Sequence, residues 1–260
     1  MNHRILNSRT NTVVGFNTFL ESLKTRDIIY IGELHQIPQV LSFQADVLSG
    51  LLNEGFKPAI GLEMFNVLQQ EMLDYYMAGI IPSGQFSNLY ELGPEGFDLS
   101  HYIKIIKIAR KNRLTAIGLN IPRSIAAAVA KHGLDKRELE CFHLREDEIK
   151  NCSNQYKKSL SNIYRKHPHA EITEENFILA QSIKDEMMAE TIAHRITSDK
   201  AQMPFIVIAG RGHMEYGLGI PERVKQKLST AGKSVSDIMI ITAYDDEPIK
   251  KGMADYMLLI

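Results

Sequence analysis

The chain has 260 residues, 44% of them hydrophobic and 23% charged, the make-up of an ordinary globular α/β domain or of one with a sizeable insert. Thirty Lys and Arg against thirty-one Asp and Glu leave a formal charge of -1, so no basic stripe is available and nucleic acid is not an expected partner. Cys141 and Cys152 lie outside any C-x-x-C spacing, which excludes a disulfide scaffold and a cysteine-rich zinc site. The first residues lack the apolar core of a signal peptide, and no run approaches the roughly 18 apolar residues of a membrane span. The expected location is the cytoplasm.

In chain order, residues 1–12 are polar and read as a frayed end. Val13 to Leu23 has helical spacing through Phe16, Phe19, Leu20 and Leu23. Ile28-Ile29-Tyr30-Ile31 is a strand buried on both faces, broken by Gly32 and followed by Glu33 and His35. Pro38 then opens a helix that Gly55 closes. Pro58 to Glu63 is the next strand, making a βαβ unit of residues 28–62. Asn66 begins a helix with Gln69 as its capping-box partner. Pro82 to Phe97, rich in Gly, Pro, Ser and Asn, reads as a loop. A helix capped by Ser100 leads to the strand Leu114 to Leu119, and Pro122 to Gly133 is a further helix.

From about 135 to 175 the chain is charged and offers no strand pattern, and helix resumes from Thr173 to Ile196. We read 135–200 as a helical insert in a single domain spanning 1–260. Phe205 to Ala209 is a strand ending in Gly210-Arg211-Gly212-His213, the same Gly-x-x-His grammar as Gly32 to His35. Pro221 to Leu228 is helical, Ile238 to Ile241 a buried strand, and Tyr256 to Ile260 an edge strand. The fold expected is a three-layer α/β domain, a mostly parallel sheet flanked by helices, with a helical insert subdomain.

Four strand ends therefore deliver Glu33, His35, Glu63, Asn120 and His213 to one rim, at the carboxyl edge where open α/β sheets bind ligands. His35, Glu63 and His213 form a candidate metal set with an open fourth position, zinc being the natural ion. Glu33 could take the place of Glu63 in that set, and whichever glutamate remains would act as general base in a hydrolase. A metal-free version uses His35 as base with Glu63 orienting it. Truncating a rim histidine such as His213 would then cost only the roughly 0.5–1 kcal/mol of an ordinary hydrogen bond. Tyr75, Tyr76, Tyr90, Tyr102 and Tyr216 lie in segments that could wall the rim. Tyrosine, histidine and methionine can all ligate haem iron, and Arg123 and Arg211 suit propionates. Met187-Met188 reads as core, and His167-Pro168-His169 as surface.

Several blocks together resemble the ChaN-like haem-binding family. They are Gly32-Glu33-Leu34-His35, Gly61-Leu62-Glu63-Met64-Phe65, Asn120-Ile121-Pro122-Arg123, Ala180-Gln181 through Asp185 to Ala189, and Ala209 to His213 with Tyr216 to Pro221. The resemblance runs from about residue 26 to 230 and extends to a wider superfamily holding the Tiki proteases and the erythromycin esterases. It implies a bacterial haem- or iron-handling protein. It also implies a homodimer on haem binding, because the family is known for haems paired face to face between two subunits. In the wider superfamily His35, Glu63 and His213 would take active-site positions, so the alternative is a metal-dependent hydrolase. No matched block assigns a haem-ligating tyrosine to a position here, and Arg211 stands where the family usually has a small residue.

Overall fold

The computed structural model describes residues 3–93, 95–166, 168, 170–198 and 202–260. His167 and His169 of the expected surface motif lie outside the described residues. The sheet is eight-stranded: β1 (Arg4–Asn7), β2 (Thr12–Val14), β3 (Ile28–Glu33), β4 (Ala59–Asn66), β5 (Ala116–Asn120), β6 (Phe205–Gly210), β7 (Asp237–Ala243) and β8 (Tyr256–Leu259), in the order β2-β1-β8-β7-β3-β6-β4-β5. The six strands from β8 to β5 are parallel, and β1 and β2 add an antiparallel edge. Parallel strands need both faces covered, which is why β3 to β6 read as unbroken apolar runs.

Side chains alternate across β3. Ile29 and Ile31 join Phe19, Phe43, Val47 and Leu51 on one face, from α1 (Phe16–Leu23) and α2 (Pro38–Asn53). Tyr102 and Ile106 of α5 (Leu99–Lys111) complete that layer. Ile28 and Tyr30 meet Met188, Ile192 and Val224 on the other face, from α10 (Glu174–Thr197) and α11 (Ile220–Thr230). This is the three-layer α/β architecture that the alternation of strand and helix signals anticipates.

Three expectations need correction. Arg4–Asn7 is not frayed but a strand: Ile5 and Leu6 are buried, and Ile5 pairs with both Val14 and Leu258. Strand β8 is consequently internal rather than an edge. The supposed loop 82–97 contains α4 (Ser83–Glu91), whose Phe86 and Tyr90 are buried at helical spacing. Composition rich in Gly, Pro and Ser suppressed that helix in the reading, although Pro82 stands at its N-cap, where a missing N–H costs nothing.

Asn66 and Gln69 do make the capping box, over a turn of 3-10 helix that leads into α3 (Gln70–Met77). The helix over 99–111 is capped by Asp98 rather than Ser100. After α6 (Arg123–His132) come α7 (Lys136–Cys141), α8 (Glu146–Lys150) and α9 (Asn154–Lys166). α7 and α8 share a separate apolar cluster with α6 and α10 through Val129, Leu139, Ile149 and Ile183. Among the described residues no helix is long and apolar enough to cross a membrane.

Candidate functional site

Because β3, β4, β5 and β6 are parallel, their carboxyl ends share one edge. Glu33 ends β3 opposite Gly210 of β6. Glu63 is not at the end of its strand: β4 continues to Asn66, and its pairing with β5 shifts register between Leu62 and Asn66. Such irregularities re-aim side chains next to functional sites. Here Glu63 lands on β6, where its Oε2 accepts the Gly210 backbone N–H at 2.7 Å. A Cβ on Gly210 would sit 2.8 Å from His35 Nε2 and 3.5 Å from Glu63 Oε2. Glycine there lets the imidazole and the carboxylate close over the strand end.

Two matched assemblies flank Glu63. In the first, Glu33 is fully buried and accepts from Gln44 Nε2, from the Tyr102 hydroxyl at 2.6 Å and from His35 Nδ1 at 2.7 Å. Burial, then the Glu33 carboxylate, push the Tyr102 hydroxyl far up, so it stays a neutral donor. With Nδ1 donating to Glu33, the Nε2 lone pair of His35 is left toward the rim, and this side chain is 39% exposed. In the second, buried Asp185 of α10 accepts from the Tyr156 hydroxyl and from His213 Nδ1. His213 Nε2 lies 3.3 Å from Glu63 Oε1. Lys184 Nζ reaches the same Oε1 at 3.2 Å and His213 Nε2 at 3.4 Å.

The charges decide the protonation states. Burial alone would lower the His213 imidazolium, but Asp185 and Glu63 outweigh it and raise its pKa to about 9. Burial would likewise raise the Glu63 carboxyl, yet His213 and Lys184 beside it hold it well below the usual carboxylate range. His213 is a cation at neutral pH and Glu63 an anion.

Linkage then gives a sign. A histidine raised from 6.5 to about 9 stabilises the fold fully below pH 6.5, and that contribution is lost as pH rises to about 9. Glu63, depressed from 4.5, contributes above that value and loses its contribution as pH falls. Urea unfolding is therefore expected to show stability falling by on the order of 2–3 kcal/mol between pH 6.5 and 9. A flat profile in that window refutes the assignment.

The rim thus gathers Glu33, His35, Glu63 and His213, as the strand ends anticipate. The partners differ from those expected: His35 is oriented by Glu33 rather than Glu63, and Glu63 belongs to His213 and Lys184. Asn120 is buried, accepts the Ile121 N–H at 3.0 Å, and borders an adjoining cleft. That cleft, of about 320 Å³, is also lined by Phe97, Arg123, Ala126 and Lys184. Arg211 and Tyr216 line a different cleft against α9. The Arg211 guanidinium is already committed there to Glu247 at 2.6 and 2.9 Å, to Glu215 at 3.0 Å and to the Thr242 carbonyl.

Of the tyrosines thought to wall the rim, only Tyr102 touches it. Tyr76 stacks on Phe86, Tyr90 donates to the Met64 carbonyl, and Tyr75 is exposed and bonded to Glu71. Met187 and Met188 are core, as expected.

Tyr156, Asp185 and Lys184 complete the rim cluster and were not singled out as site residues in the sequence. Buried Ser182, Asp185 and Glu186 mark the core-facing side of α10 as polar. Charged residues at core-facing helical positions are the signal that finds them. Among the described residues no group of three or more His, Cys, Asp or Glu is arranged to hold a metal ion. The set His35, Glu63 and His213 as placed does not fit zinc, because an ammonium shares it.

Fold and rim define an α/β protein whose ligand site lies at the carboxyl edge of a parallel sheet. The family model described as "Haem-binding uptake, Tiki superfamily, ChaN" matches residues 19–224, and the chain belongs to that family. Among solved structures, ChaN of Campylobacter jejuni, described with cofacial haem binding, superposes with a TM-score of 0.75 at 20% identity, covering 98% of this chain and 96% of that one. The type III effector HopBA1 gives a TM-score of 0.51 at 11% identity over 94% and 91% of the two chains. A mutant of erythromycin esterase EreC in its open conformation gives 0.51 at 14% identity over 94% and 77%. At these identities the likeness is one of fold. A comparison with curated proteins returns no match by sequence.

Proposed function

We propose that this chain binds haem in the cleft beside His35, in keeping with its family. The observation that carries the reading is the lining of that cleft. Ala126, Ala127 and Ala130 of α6 present short side chains, with Phe97, Ile121 and Phe177 around them. Small residues leave a flat apolar wall suited to one face of a planar macrocycle. At its margin Arg123 is exposed, and its guanidinium has no acidic partner among the described residues, which suits a carboxylate side arm of the ligand.

His35 borders the cleft through Phe97, the rings meeting edge-on with centroids 5.0 Å apart. Its Nε2 is the nitrogen a metal would take, and Glu33 on Nδ1 is the kind of partner that fixes the ring and strengthens such a ligand. Bound haem supplies the iron, and the protein's part is to hold and orient it. We further propose that a second copy covers the ligand's other face, the two copies meeting across a two-fold axis that uses one patch twice. The helical stretch from about 135 to 200 is taken as an insert in a single domain.

Titrating hemin into the purified chain is expected to give a saturable Soret shift, weakened in His35→Ala and Arg123→Ala, with the mass by light scattering doubling on loading. An unshifted Soret band overturns the haem reading, and a monomer before and after loading overturns the shared ligand. A second reading is hydrolysis at the same rim, favoured by two imidazoles each backed by a buried carboxylate. With Lys184 in place it would run without a metal, His35 serving as general base. Ester turnover assayed without hemin separates the two.

A further inference from the structure

The rim holds its own cation. Lys184 Nζ, Glu63 Oε1 and His213 Nε2 stand at the corners of a nearly regular triangle with edges of 3.2, 3.3 and 3.4 Å. Nitrogen and oxygen ligands at about 2.0–2.2 Å from a tetrahedral ion lie about 3.3 Å from one another. Glu63 and His213 are therefore spaced as two ligands of one ion, and an ammonium fills the third corner. His35 Nε2 lies over Gly210, as does the other oxygen of Glu63.

We propose that Lys184 replaces a metal ion in this site, its fixed positive charge neutralising Glu63 and excluding a divalent cation. The hydrogen bonding supports the assignment. Glu63 Oε2 is satisfied by the Gly210 N–H, Oε1 by Lys184, and His213 Nδ1 by Asp185, so the cluster is complete without an added ion. Lys184 and Asp185 are consecutive on α10. The same helix turn thus supplies the substitute cation and the carboxylate that receives His213 Nδ1. Removing the lysine takes away the repulsion and leaves Glu63 and His213, already spaced as two ligands of one ion, facing a vacated corner. The lysine side chain is 21% exposed, so the corner is within reach of solvent ions. This inference rests on the rim geometry and stands apart from the haem reading.

The test compares the wild-type chain, without a purification tag, with Lys184→Ala, Lys184→Met and Lys184→Arg. After chelator treatment, Zn²⁺ uptake is measured by equilibrium dialysis and Co²⁺ coordination by its visible absorption. Both neutral variants are expected to gain one site at least about tenfold tighter than any in the wild type. Lys184→Arg should stay metal-free, and the gain should vanish in Lys184→Ala/His213→Ala. Because the side chain is partly exposed, folding is checked by thermal melts, and the better-folded neutral variant decides. Stoichiometric zinc on the wild type at the variants' affinity overturns the proposal, as does no gain in either neutral variant or an equal gain in Lys184→Arg.

Discussion

Replacing His213 with alanine is expected to cost about 3–5 kcal/mol of folding stability, the penalty of breaking a buried ion pair from one side. The imidazole is only 12% exposed and bridges two carboxylates that are more deeply buried still. Without it Asp185 keeps the Tyr156 hydroxyl alone, and Glu63 keeps Lys184 and the Gly210 N–H. The sequence suggested a rim histidine whose loss would cost about 0.5–1 kcal/mol. Burial by α10, invisible in the local motif, reverses that expectation. Urea denaturation of the variant beside the wild type checks it, and a loss below about 1 kcal/mol would return His213 to the status of an exposed rim group.

The second large effect lies away from the rim. Arg223 of α11 is 4% exposed and its guanidinium donates to Glu186, to the Glu148 carbonyl at 2.9 Å and to the Ile149 carbonyl at 3.1 Å. It ties the last turn of α8 to the layer of α10 and α11. Arg223→Ala leaves Glu186 buried with only Lys227, at 2.6 Å, and strips two carbonyls of their donor. A loss of about 3–5 kcal/mol is expected, together with faster proteolysis in the segment 135–166. Arg223→Lys should rescue little, since an ammonium cannot span three acceptors in a fixed fork. Arg145→Ala, which breaks the exposed pair with Asp147, serves as the control and should leave stability unchanged. If the two arginine variants unfold alike, the buried network carries no special weight.

How much of this was legible beforehand depends on the range of the signal. The four strands were legible because each is a local apolar run with a glycine near its end, and parallel pairing then brings those ends to one edge, although β4 runs on past Glu63 to Asn66. The Asn66–Gln69 box was legible for the same reason, its partners lying three residues apart. Hairpin β1–β2 was not: strands of four and three residues carry too few positions for a period, and the burial of β1 comes from pairing with β8 at the far end of the sequence. The tyrosine–carboxylate–histidine assemblies were not legible either. Tyr102 meets Glu33 across 69 positions and Tyr156 meets Asp185 across 29. Nothing at Tyr102 or Tyr156 distinguishes them from core aromatics until the helices are docked. The family resemblance flagged Asp185 as part of a block without saying what it touches.

The strand order has one more consequence, for how the chain comes to be folded. β3, the strand that carries Glu33, is hydrogen-bonded on one side to residues 205–210 and on the other to residues 237–241. A nascent chain leaving the ribosome therefore presents Ile28–Glu33 early, with neither lateral partner yet made, and must shelter an apolar strand until about residue 240 has emerged. Long-range parallel pairing of this kind is slow and exposed to aggregation. The rim cannot be built stepwise from the N-terminus, and a fragment ending before residue 205 would hold Glu33, His35 and Glu63 but no sheet to bring them together. Assembly of the site waits for β6 and β7.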